Sequence, residues 1–270
     1  MSEIMPREYR PGDVSGLKAL WARVFGDPPE LIDGFFRLLP EAGSCFVCEA
    51  DGAVAAMSFI LTGLKTQGSK LGYIYAVATN PKYRGRGLGA AVVRACVSYG
   101  QARGCASVCL RPAEASLFKW YADVMDALPA VYCADETAAL SDVITAPVLT
   151  CEAISPADYN ALREKWLSSC PHVTFPDAYV AMEELICRVS GGGLCRLGDS
   201  IAAFYPEDGR LLIRELLCAD DDKAACIRSL LEFSGCASAL INTPDKLKPF
   251  IAAAPADVFP EGCRWGPALD

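Results

Sequence analysis

The stretch YRGRGLGA, Tyr83 to Ala90, places glycines at 85, 87 and 89 and arginines at 84 and 86. It lies between two runs of different character. Before it, LGYIYAVAT (Leu71 to Thr79) carries the aliphatic and aromatic residues of a strand. After it, Leu88, Val92, Cys96 and Tyr99 recur at helical spacing up to a stop at Gly104. A strand that turns through glycines into a helix and then into another strand, ASVCLRP (Ala106 to Pro112), makes a parallel crossover, and so a mixed sheet layered with helices. Closely spaced glycines also allow positive φ, so that successive N–H groups converge while the helix start adds roughly half a positive charge. With Arg84, Arg86 and Lys82 adding full charges, the loop suits a phosphorylated cofactor.

The flanking segments complete the unit. RPGDVSGLKALWARVFGD sets Leu17, Leu20, Trp21 and Val24 on one helical face, ending near Gly26. A second helix runs from Glu30 to Leu39 with Leu31, Phe35, Leu38 and Leu39 as its stripe. Asp51-Gly52 then joins two apolar runs, a strong hairpin signal. After the strand at 106–112, EASLFKWYADVMDA reads as a short helix. The order is helix, helix, three strands, helix, strand, helix: an α/β chain of the α+β kind, with antiparallel strands ahead of one crossover.

The second half repeats this order. ISPADYNALREKW (Ile154 to Trp166) parallels RPGDVSGLKALW, Asp208-Gly209 joins two further apolar runs, and GCASALINTPD from Gly235 echoes GCASVCLRPAE from Gly104. The economical reading is two tandem copies of one fold, in domains 1–147 and 148–270. Where the first copy has its glycine loop, the second has CADDDK, Cys218 to Lys223, whose three acids would repel phosphate. Only the first copy is then competent to bind such an anion.

Composition narrows the function. The net charge of −8 argues against tracking nucleic-acid phosphates. The longest apolar run, Ala53 to Leu64, is shorter than the ~18 residues of a membrane span. The N-terminal MSEIMPREYRPGD has no basic, apolar leader pattern, so a cytoplasmic location is the expectation. Fourteen cysteines include a single CxxC, Cys45 and Cys48, without the second pair a zinc site needs. No metal is expected, and cysteines such as Cys96, Cys109, Cys187 and Cys226 read as small core residues in a reducing compartment. The one histidine, His172, leaves no basis for a histidine-dependent triad.

Two nucleotide motifs compete for the glycine loop. A P-loop requires GxxxxGK followed by Ser or Thr, which the chain lacks. GRGLGA formally meets GxGxxA, the dinucleotide pattern of nicotinamide oxidoreductases, but that pattern follows an early strand and opens a series of crossovers.

VATNPKYRGRGLGAAVV resembles the acyl-coenzyme A motif of the GNAT acyltransferase superfamily, with the RxxGxG core on Arg84, Gly87 and Gly89 and the preceding proline at Pro81. The resemblance spans about the first half, and the whole chain is similar to two-domain members with a degenerate second GNAT-like copy. It implies an N-acetyltransferase with acetyl-CoA as co-substrate and a small-molecule amine as acceptor, reacting by direct attack in a ternary complex. It further implies that the pantetheine arm lies along Val77, Ala78 and Thr79, one of whose N–H groups faces the thioester oxygen. Gly85, Arg86, Gly87, Leu88, Gly89 and Ala90 would surround the pyrophosphate. Tyr121, in LFKWYADV, matches the tyrosine that commonly protonates the departing thiolate, although Val124, Met125 and Asp126 follow where the family often has Gly-Phe. Glu114, Tyr73 and Tyr75 are candidate bases and none is singled out. The alternative is a non-catalytic acyl-CoA sensor. Acceptor identity and oligomeric state are not readable from the residues.

Overall fold

The computed structural model describes residues 5–269; the side chains of 39–41, and so the Leu39 of the expected apolar stripe, lie outside that description. In chain order the first elements are β1 (Arg7–Glu8), α1 (Val14–Phe25), α2 (Pro29–Ala42), β2 (Gly43–Ala50), β3 (Ala53–Thr66), β4 (Ser69–Thr79), α3 (Leu88–Ala102), β5 (Ser107–Leu110), α4 (Leu117–Met125) and β6 (Leu128–Ala139). Then come α5 (Leu140–Val143), β7 (Glu152–Ala153), α6 (Pro156–Leu167), β8 (Val173–Thr174), α7 (Asp177–Val189), β9 (Gly193–Leu197), β10 (Ser200–Glu207), β11 (Arg210–Leu217), α8 (Lys223–Ser234), β12 (Ser238–Pro244) and β13 (Lys248–Ala254). Among the described residues, no helix is long and apolar enough to cross a membrane.

The chain divides into two compact units, but not by one cut. Unit 1 runs to Val131 and takes in Pro249–Pro260; unit 2 is Tyr132–Lys248 with the segment from Glu261. The single boundary expected at 147/148 therefore does not describe the contacts. Its failure has a local cause. The run KPFIAAA is short and without period, so nothing in it announces β13, which pairs antiparallel with β5 through Ala252–Leu110, Ala253–Cys109 and Ala254–Val108. Ser107 Oγ donates to the Pro255 carbonyl at 2.7 Å beside that pairing.

In unit 1 the strand order is β1-β2-β3-β4-β5-β13. Neighbours are antiparallel except β4 and β5, which are parallel because α3 carries the chain across between them. Asp51 and Gly52 take φ of 52° and 76°, the left-handed pair a two-residue β2–β3 hairpin needs. Strand alternation divides the core. Phe59 and Tyr75 meet Trp21 and Phe35 of α1 and α2, at centroid separations of 4.9 to 5.7 Å. Ile60 and Ile74 point the other way, into a cluster with Val93 and Cys96 of α3 and Tyr121 and Met125 of α4. Trp21, Phe35 and Phe59 are almost wholly buried, each contributing about 1.5–3 kcal/mol of transfer free energy or more.

Unit 2 has the strand order β6-β12-β11-β10-β9-β7, with β11 and β12 parallel and the other pairs antiparallel. Taken by itself it follows the connectivity of unit 1: a short strand, two helices, three antiparallel strands, a crossover helix and a parallel strand. In each unit, the outer neighbour of the last parallel strand comes from elsewhere in the sequence, β13 in one and the 132–139 part of β6 in the other.

Candidate functional site

The site begins where two parallel strands part. β4 and β5 pair only over Leu71–Ser107, Gly72–Val108 and Tyr73–Cys109, and beyond Tyr73 the β5-facing edge of β4 is open. In the same place β4 is irregular against β3, where Ala76 and Val77 stand opposite Ser58 alone. Ala76 takes a φ of 49°, a left-handed conformation for a residue with a Cβ, as a bulge demands. Past the bulge the register returns, with the Asn80 N–H donating to the Ala55 carbonyl at 2.8 Å. Strand alternation then directs the N–H and C=O of Thr79 away from β3 and onto the open edge. Arg84 Nε donates to that Thr79 carbonyl at 3.3 Å.

The loop after β4 is a single 3-10 turn, Pro81–Tyr83, followed by the glycines. Asn80 caps the turn by accepting from the Lys82 N–H at 3.1 Å. Gly85 and Gly87 take φ of 75° and 80°, which L-residues rarely adopt, and Gly87 is the N-cap of α3 with no side chain capping the first turn. The helix-start N–H groups are therefore left for a ligand or water. Gly89 matters for a different reason. A Cβ there would meet Thr79 Oγ1 at 3.1 Å, with Trp120 of α4 at 3.8 Å. Strand end, helix start and α4 thus converge on one glycine, beside helix-start N–H groups of the kind that can bind an anion.

Charge around the loop is distributed differently from the sequence expectation. Lys82 Nζ lies 2.9 Å from Asp51 Oδ2, at the tip of the β2–β3 hairpin, so its charge is balanced there and is not aimed at the glycines. The ion pair holds Asp51 below its ordinary value and Lys82 above its own. Tyr83 OH donates to the same Asp51 oxygen, and Arg86 stacks over the Tyr83 ring with its guanidinium carbon 5.2 Å from the centroid. Tyr83 itself is buried against Cys48, Ala55, Ala56, Leu88 and Val92. Arg84 and Arg86 are left as the exposed charges of the loop. Asp51 reads in sequence only as a turn residue, and nothing local links it to a loop some 30 positions on.

Tyr121 sits on α4 in the same apolar cluster that Val77 and Trp120 pack against. Its ring meets Trp120 edge-on at 4.8 Å, and burial pushes its phenol well above the ordinary value. Of the candidate bases, Tyr73 and Tyr75 stack on each other at 6.3 Å on the α1/α2 side, and Glu114 is exposed and accepts from Ser116 Oγ at 3.2 Å.

Comparison with known proteins agrees with this geometry. The chain matches the model of the acetyltransferase (GNAT) family over residues 15–121. Residues 15–121 form a GNAT-family domain. A probable N-acyltransferase from Enterococcus faecalis V583 superposes with a TM-score of 0.70 at 15% identity, over 93% of this chain and 72% of that one. A GCN5-related N-acetyltransferase from Kribbella flavida gives 0.69 at 14%, over 94% and 73%. One from Anabaena variabilis gives 0.68 at 13%, over 93% and 72%. These likenesses establish the GNAT fold, with its mixed sheet. No curated protein matches by sequence.

The corresponding junction of unit 2 is built otherwise. β11 and β12 also part after Ile213, and β11 carries an irregularity at Arg214. The loop to α8 has no left-handed residue and presents Asp220, Asp221 and Asp222. On the α6 side, Glu215 accepts from Arg163 Nε at 3.0 Å and from Tyr159 OH at 2.9 Å, and Arg163 donates further to the carbonyls of Val173 and Trp265. Both charges are buried and paired with each other.

Proposed function

We propose that the chain is an N-acetyltransferase that moves acetyl from acetyl-CoA to the amine of a small acceptor, by direct attack in a ternary complex. The observation that carries this reading is the junction of the open β4 edge with an uncapped helix start entered through left-handed Gly85 and Gly87. On this reading the N–H groups of Gly85 to Ala90 hold the pyrophosphate, with Arg84 and Arg86 adding charge. Val77, Ala78 and Thr79 pair with the extended pantetheine arm as a further strand would. A backbone N–H of that stretch, beside the Ala76 bulge, donates to the thioester oxygen as negative charge develops.

Tyr121 is assigned the leaving thiolate. A phenol near ~10 is a weaker acid than a thiol near ~8.5, and burial weakens it further, so Tyr121 stays protonated and acts by hydrogen-bond donation. The acceptor amine must lose a proton before attack, through water or a carboxylate. Unit 2 is on this reading a degenerate GNAT-like copy without a coenzyme site. The placement of Tyr121 among core side chains favours a second reading, in which acyl-CoA is bound without transfer.

Thermal-shift measurements with acetyl-CoA, CoA, NAD and ATP test the binding step. Acetyl-CoA and CoA should raise Tm, and NAD and ATP should not. A shift with NAD alone, or none with CoA, removes the proposal. Thiol release across an amine panel then separates enzyme from sensor.

A further inference from the structure

Unit 1 has a second concavity, away from the glycine loop. Its volume is about 720 Å³, and it is lined from α3, from the end of α4 and from the segment that follows β13, all within unit 1. Strand register fixes its position. β4 opens from β5 beyond Tyr73–Cys109, at the glycine-loop end. β13 instead ends with Ala254 opposite Val108, and the Pro255 carbonyl accepts from Ser107 at the start of β5. Along α3 the lining begins at Arg94, about 9 Å down the axis from Leu88. The groove therefore sits at the opposite end of the strands from the glycine loop and shares no residue with it.

The floor of the groove is apolar. Val97, Val124 and Ala254 pack against the cluster that contains Met125, and Leu128 stands 59% exposed at the rim. A concavity of this size, largely apolar with a few polar groups, has the form of a small-molecule site. Its charges are unequal. Asp126 is the C-cap of α4, and Asp257 lies in the 3-10 turn Ala256–Val258. Arg94 donates through Nε to the Val124 carbonyl at 3.2 Å, so its charge is set against the negative end of α4. Two carboxylates against one arginine, itself tied to a helix C-terminus, leave the groove electronegative.

We propose that this groove binds a small primary alkylammonium ion, with its charged end at Asp126 and Asp257 and its chain over Val97, Val124, Met125 and Leu128. A neutral chain of equal length lacks the charge that the acids favour, and an anion is repelled by them. The assignment does not depend on the acetyl-transfer reading, because the coenzyme site assigned there is at the other end of the sheet.

The experiment uses the full-length chain without coenzyme, carrying carbon-13 at its methionine methyls and titrated with hexylamine at neutral pH. Of the five methionines Met125 lies in the groove, and its signal is assigned with M125L. The expected result is a saturable shift of the Met125 methyl with Met57 and Met182 unmoved, and no such shift with 1-hexanol or hexanoate. Affinity should rise roughly two- to fourfold per methylene from butylamine to hexylamine. D126N and D257N should each weaken binding roughly two- to fivefold. Asparagine suits the left-handed φ of 57° at position 126, so the fold is kept. S98W, at an exposed α3 position on the groove, should abolish the shift with the melting curve retained. A Met125 signal that does not move, an equal response to 1-hexanol, or tighter binding of zwitterionic norleucine than of hexylamine would overturn the assignment. So would S98W binding hexylamine as the wild type does.

Discussion

The Tyr83 hydroxyl donates to Asp51 Oδ2 at 2.8 Å, the same oxygen that Lys82 reaches at 2.9 Å. The tip of the β2–β3 hairpin thus holds the base of the glycine loop from outside, while the Tyr83 ring is fixed from beneath by Leu88 and Val92. Replacing Tyr83 by Phe keeps the ring and removes the tether. Loss of one hydrogen bond worth about 1 kcal/mol should weaken acetyl-CoA binding roughly fivefold, measured by titration calorimetry, with little change in far-UV dichroism. Unchanged affinity would show that the loop holds its shape without Asp51.

Tyr121→Phe tests the leaving-group assignment. Turnover should fall about 100-fold, the lower end for loss of a positioned proton donor, while the dissociation constant for CoA stays within about twofold. Full turnover in the variant would leave Tyr121 as a core ring only, consistent with its packing beside Met125 and Val108.

A fragment of residues 1–147 should not fold cooperatively. It lacks β13, so the outer edge of β5 is unpaired, Ala252 is missing from the cluster that holds Tyr121, and Ser107 loses its partner at Pro255. Thermal dichroism should show no sigmoidal transition for the fragment and one for the full chain. A sharp transition in the fragment would mean β13 is dispensable.

The acid limb of stability should report Asp13. Arg7 donates to both its carboxylate oxygens, at 2.7 and 2.9 Å, and the Arg10 N–H adds a third bond. The Arg7 hydrogen bonds, chiefly, bring Asp13 down to about 2. Because the folded value is below the unfolded one, this stabilisation is present above pH ~4 and is lost as pH falls through about 2. Arg7 keeps 26% exposure, so solvent screening limits the contribution to about 1 kcal/mol. Asp13→Asn should therefore lower the urea midpoint at pH 6 and narrow its gap to wild type by pH 2.

The helix starts, the Asp51-Gly52 and Asp208-Gly209 hairpins and the glycine loop were legible because each is set by a local requirement. A left-handed φ calls for glycine or a short polar residue, and a buried helical face calls for a period near 3.6. Other features were not. The bulge at Ala76 has no residue signature, since alanine is an ordinary strand residue forced there by its neighbours. Lys82 reads in sequence as a loop charge, but Asp51, distant in sequence, lies beside it and balances it.

By itself, then, the sequence determined the local backbone: a strand, a glycine turn able to converge its N–H groups, and a helix, with an acidic counterpart in the second half. Tertiary structure alone decided that β13 completes the unit holding the glycine loop, that Asp51 anchors that loop, and that β4 parts from β5 beside it. The physical reason is range. Dihedral preferences act within a few residues, whereas strand pairing, ion pairing and core packing join positions far apart and are fixed only when the whole chain has found its contacts.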